Sequence, residues 1–163
     1  MRWMMVAVDP GDIVRGVDLA RDKRLVTVDG AMEDVLPGID LHAAPDSHTW
    51  GSMWVTVRND GKKASDDTWV LAGDLVYQFD NLKSSGAVVD VEEMYTPVGL
   101  AVGSQANLIL ATEEMMSQVG YEARRVIPIH EERLNDTFPS RTSKEGLRVT
   151  EICLADGEKS KVS

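Results

Sequence analysis

The chain is short of the residues that usually give the loudest signals: its 163 positions hold one cysteine, three histidines and two phenylalanines. A single cysteine, Cys153, excludes an internal disulfide and suits a reducing compartment. Basic residues are scarce, 17 against 27 acidic, for a formal charge of -10. No lysine or arginine run is long enough to follow a phosphate backbone, so nucleic acid is not an expected partner. Long apolar runs are missing as well. The opening MRWMMVAV stops at Asp9-Pro10, too short for a secretion signal with its cleavage site or for a bilayer span. A cytoplasmic protein with no membrane partner is the expectation. What is present is 43% hydrophobic residues, enough to build the core of one ordinary domain.

Periodicity places the elements. Residues 1–22 read as helix and then loop, broken at Pro10-Gly11, and RLVTVDG (24–30) alternates like a half-buried strand ending in an Asp-Gly turn. DVLPGIDLHAAP (34–45) holds a Pro-Gly turn and then a strand through Ile39 and Leu41. SMWVTVRN and TWVLAGD, joined by the polar DGKKASDD, are the strongest strands. LVYQFDNL reads as one helical turn or a loop. A helix is expected over 103–120, with Ser104 as N-cap, Gly120 as stop and Ala106, Ile109, Leu110, Glu113 and Met116 at helical spacing. RRVIPIH (124–130) is a strand that delivers a histidine at its end. LRVTEICLA (147–155) is a last strand after the loop DTFPSRTSKEG, and DGEKSKVS is a frayed tail. Gly99 and Gly103 precede the helix but lack GK[ST], so they are turn glycines rather than a phosphate loop. The pattern is α/β, with one domain over 1–155 and a flexible tail over 156–163.

Three polar residues stand at the ends of apolar strands: His48, Asp74 and His130. Side chains there are rigidly held and can still face a cleft. Two imidazoles and a carboxylate suit a borderline-soft divalent ion such as zinc, with a position open for water. The plainer reading of the same residues is a capping His48, a turn-forming Asp74 and a hydrogen-bonded His130. His42 is the histidine left over; it lies on the strand face opposite Ile39 and Leu41, which suits packing or solvent exposure better than ligation.

The order and framing of SHTWGSM, VLAGDLVYQFDNL and RRVIPIHEERL, with a helix between the last two, resemble the second half of the metallo-β-lactamase superfamily. The resemblance covers roughly residues 24–135. Asp74-Leu75-Val76-Tyr77 is most similar to N-acyl homoserine lactonases, whose bridging aspartate is followed three residues later by a substrate-touching tyrosine. It implies a partial αββα sandwich and a two-zinc site in which His48 holds one ion, His130 the other, and Asp74 bridges them. A metal-bound hydroxide would attack the carbonyl of a small lactone or ester, and Tyr77 would donate a hydrogen bond to the carbonyl oxygen. An ordinary partly buried tyrosine is the competing reading of Tyr77.

The first element of that family, an HxHxDH loop, has no counterpart among the three histidines here. The chain therefore reads as a C-terminal portion, truncated or started late, with one zinc ion or none and little activity alone. Trp3, Met4, Val6, Trp50, Trp54 and Trp69 would then lack part of the layer they pack against. Two alternatives remain. One is a non-catalytic remnant whose sheet edge and apolar face serve binding or homo-oligomer formation. The other keeps the superfamily and acts on a different ester or a thioester, against which Tyr77 stands.

Overall fold

A computed structural model describes residues 28–82, 95–99 and 101–162. The helical reading of 1–22 and residues 24–27 of the first expected strand lie outside the described residues, as do Trp3, Met4 and Val6; residues 28–30 are not in a strand. The described part is α/β, a mixed five-stranded sheet with few helices. Its strands are β1 (Ala31–Leu36), β2 (Ile39–Ala43), β3 (Met53–Arg58), β4 (Thr68–Gly73) and β5 (Val126–Pro128), in that spatial order. The first four pair antiparallel, and β5 joins β4 in parallel.

Strands β2 and β3 lie where their alternation puts strands but bury the other row: Asp40, Trp54, Thr56 and Arg58 are buried, Ile39, Leu41, Val55 and Val57 only partly so, and β4 is buried along almost its whole apolar run. The strand β1 is a surprise, because Pro37-Gly38 turns out to close a hairpin whose first arm is the polar AMEDVL. Its pairing slips between Met32 and Leu36, and Asp34 takes a left-handed φ of 50° there. The bulge turns the Asp34 carboxylate onto Arg58, whose guanidinium also forks onto Asp40 at 2.8 and 3.0 Å. Burial alone pushes the Asp40 carboxyl up, but the bonds from Arg58 and the Asp34 N–H outweigh it and hold it below the ordinary carboxylate range.

Residues directly opposite across a sheet share a face. One face carries Trp54, Val70, Ala72 and Val126 and packs on helix α1 (Gln105–Gln118) through Leu108, Ala111, Met115 and Met116. Ser104 caps α1 by accepting a hydrogen bond from the Asn107 N–H. At the other end Gly120, at φ 61°, donates to Ser117 O while the Tyr121 N–H reaches back to Met116 O, the paired bonds of a Schellman stop. The buried face of α1 agrees with the expected one at Met116 and partly at Ile109 but is rotated from it elsewhere: Leu110 is 66% exposed and Ala106 is exposed, because Leu108, Ala111, Thr112 and Met115 meet the sheet instead. Both rows satisfy a helical period, and only the sheet selects between them. The opposite sheet face carries Trp69 and Ile127 against Phe138, Leu134, Ile152 and Cys153.

The last expected strand, 147–155, is corrected to three residues, β7 (Arg148–Thr150). It pairs not with the main sheet but with β6 (Ser140–Thr142), which lies within the segment read as loop. A short helix α2 (Leu134–Thr137) precedes them. Beyond β7 the chain is tied back: the Asp156 N–H donates to Asp67, Asp156 pairs with Arg125, and the Lys161 N–H donates to Glu151. Trp54 and Trp69 are 1% and 7% exposed, so neither lacks a packing layer, contrary to expectation; Trp50 is partly exposed. Among the described residues no helix is long and apolar enough to cross a membrane.

Candidate functional site

Strand direction gathers the polar residues. The strands β4 and β5 run parallel, with Gly73 opposite Pro128, so Asp74 and His130 leave the sheet at the same end. Strand β3 runs antiparallel to β4, so the loop 44–52 that feeds its first residue lies at that end too; the Met53 carbonyl sits beside Gly73. His48 is in this loop. The carboxyl ends of parallel strands are where open α/β sheets bind ligands, because loops diverge there and leave a crevice.

The four candidate side chains form one contiguous string. The His48 Nε2 is 2.8 Å from the Tyr77 hydroxyl, the Tyr77 ring meets the His130 ring edge-on with centroids 4.6 Å apart, and His130 Nε2 lies 3.2 Å from Asp74 Oδ1. Asp74 and His130 are half exposed. Burial, reinforced by the nearby Asp74 charge, pushes the Tyr77 hydroxyl above its usual pKa and so keeps it a neutral donor.

Each loop is fixed from behind. The His48 carbonyl accepts from the Val102 N–H at 2.9 Å, and the Asp46 carbonyl accepts from the Ser104 N–H and the Asn107 amide. The N-terminal end of α1 therefore holds the His48 loop. Gly103 is more than a turn residue: a Cβ there would run into the backbone of Asp46 and Ser47. On the other side the His130 N–H donates to the Tyr77 carbonyl at 3.0 Å and the Ile129 N–H to Val76. Glu131, to which the sequence assigned no role, has a side chain only 2% exposed. It accepts from the Phe79 N–H at 2.8 Å and from the Arg133 N–H and guanidinium. The Arg133 fork is the main reason its carboxyl is pulled down to about 2. His42 stacks on Trp54 at 3.8 Å and bonds Thr56, so its role is packing.

The donor types suit zinc, and one buried nitrogen, His48 Nδ1, has no hydrogen-bond partner. An unsatisfied buried polar atom costs about 1–3 kcal/mol, a cost tolerated mostly where function demands it. The fit is nevertheless partial. The Asp74–His130 pair supplies two donors, whereas Nε2 of His48 is taken by Tyr77, and among the described residues no three His, Cys, Asp or Glu side chains are placed to hold one metal ion. Comparison with protein-family models, with curated proteins and with solved structures finds no match.

Proposed function

We propose that this chain carries part of the site of a metal-dependent hydrolase of the lactonase type, on a partial metallo-β-lactamase-like αββα sandwich, and that by itself it is weak or inactive. One observation supports the reading above others: His48, Asp74 and His130 leave the sheet at one end, with the Tyr77 hydroxyl among them. Asp74, His130 and His48 would be the protein's ligands, and the ions would supply a hydroxide nucleophile near neutral pH. The remaining donors have to come from outside the described set.

The chain's own residues have definable tasks. Tyr77, kept neutral, donates its hydroxyl proton in a hydrogen bond to the carbonyl oxygen as charge develops there, an effect of about 3 kcal/mol for a preorganised donor. It must leave His48 Nε2 to do so. Asp74 holds His130 in orientation. The exposed apolar side chains of Trp50, Val102 and Ile129 belong to the same segments and suit the acyl portion of a lactone or ester.

Zinc titration by calorimetry, with lactone opening followed through proton release, tests the reading. Weak, substoichiometric zinc binding that Asp74→Asn abolishes is the expected result. Tight loading with two ions and fast turnover would overturn the claim of weakness, and zinc binding that Asp74→Asn, His48→Ala and His130→Ala all leave unchanged would overturn the hydrolase site itself.

A second reading has its own observation. Ile39, Leu41 and Val55 are only partly buried on the face that carries Trp69, and Leu36 and Met53 are 65% and 37% exposed. A binding or homo-oligomer module would use that surface. Light scattering that shows a zinc-independent dimer, together with a silent zinc titration, would favour it.

A further inference from the structure

We infer that Glu131 is the positioning residue of the candidate site, the group that sets where His130 and Tyr77 stand relative to each other. Both ride on short irregular segments beyond the last bonds of β4 and β5. Two backbone hydrogen bonds, from the His130 and Ile129 N–H groups, join these segments. Asn81 braces the Phe79–Leu82 turn that follows Tyr77 by accepting the Gln78 N–H at 2.9 Å and donating to the Thr96 carbonyl at 2.8 Å, but neither backbone bond ties that turn to the His130 segment. Glu131 does: one oxygen takes the Phe79 N–H at 2.8 Å and the Arg133 Nη2 at 2.7 Å, the other takes the Arg133 N–H and Nε at 3.0 and 2.6 Å. Arg133 in turn reaches Asp80 at 3.1 Å, closing a ring of bonds around the turn.

The geometry is unusual for its place in the chain. His130 and Glu132 are exposed on either side, yet the Glu131 side chain is buried and all its bonds go to the turn that follows Tyr77 or to Arg133. A carboxylate with two oxygens can bridge two backbone segments at a fixed separation, and a guanidinium fork fixes its plane. Loss of that bridge unties the turn from the His130 segment, moves the Tyr77 ring off His130 and widens the gap between Tyr77 and the Asp74–His130 pair. Supporting groups of this kind change metal affinity without touching the metal.

The role rests on the hydrolase reading for its zinc arm, and two further arms are independent of it. In Glu131→Gln, with Arg133→Lys as the milder variant should the first fail to fold, three things are measured. Amide exchange at His130 and Phe79 is expected to quicken about tenfold while Val70 and Val126 stay protected. The ring-current displacement that Tyr77 imposes on the His130 ring protons is expected to collapse. The zinc dissociation constant is expected to rise about tenfold. Asp67→Asn, which loosens the separate Arg125 cluster, serves as the control for general destabilisation and should leave the His130 ring signals in place. Unchanged His130 ring shifts and amide exchange in a folded Glu131→Gln protein would overturn the inference. If those two arms move while Asp74→Asn, His48→Ala and His130→Ala all leave zinc binding unchanged, the positioning role stands and the hydrolase reading falls.

Discussion

Nε2 of His48 and the hydroxyl of Tyr77, twenty-nine residues apart in sequence, are 2.8 Å apart in the structure. The contact joins the loop held by helix α1 to the turn held by Glu131, so the two halves of the candidate site meet at one hydrogen bond. It occupies one ring nitrogen of His48, while Nδ1 of the same ring is buried without a partner.

Tyr77→Phe should therefore act in two ways. The folded protein loses about 1 kcal/mol, because His48 keeps neither ring bond, and any lactone opening falls by about 100-fold or more through loss of the oxyanion donor. Urea denaturation and steady-state rates read the two effects separately. A variant that hydrolyses as fast as the wild type would remove Tyr77 from the chemistry.

Gly103→Ala should cost about 1–3 kcal/mol, since the new methyl group meets the Asp46 and Ser47 backbone and the loop must shift to admit it. The displacement falls on the His48 loop, so the Tyr77–His48 bond should weaken in the same variant. Thermal melting together with NMR of the His48 ring checks both; an unperturbed melting temperature would show that the loop yields freely.

His42 makes stability depend on pH. Burial against Trp54 pushes its pKa below the ordinary histidine value, an effect that the nearby acids Glu114, Asp40 and Glu33 only partly reverse. The folded state thus binds this proton less readily than the unfolded chain. The contribution is complete above the unfolded pKa of about 6.5 and is lost as the pH falls through the lower folded value. Stability measured from pH 7.5 down to 5 should decline, and His42→Gln should flatten that part of the curve. An unaltered slope would assign the decline to other groups.

Arg58→Met strands the buried Asp40 carboxylate and should destabilise by about 3–5 kcal/mol. The double variant Asp40→Leu with Arg58→Met should recover much of this, since neither charge then remains buried. Equal losses in the single and double variants, measured by denaturant midpoint, would show that the pair contributes through packing alone.

Much of this architecture is legible one segment at a time. Alternation marks β2 and β3 and an apolar run marks β4, Ser104 and Gly120 bound the helix by their capping chemistry, and VIP before His130 is short, apolar and buried. These are local rules, in which a residue's neighbours within a few positions determine its conformation. The strand β1 escaped them because its alternation is masked by Glu33 and Asp34, whose partners Lys63 and Arg58 lie 30 and 24 residues away.

The sequence by itself determined that His48 precedes an apolar strand and that Asp74 and His130 follow one, and that only a lone cysteine, no basic tract and no long apolar run compete for attention. Tertiary structure alone decided that one sheet end collects all three, that Tyr77 bonds His48 and touches His130, that Glu131 is buried, and that α1 buries Leu108 and Met115 rather than Ala106 and Leu110. The division has a simple cause. Backbone periods and caps are satisfied within a turn or a strand, whereas a buried polar group finds its partner only when distant segments close on it, and nothing in either segment alone names the other.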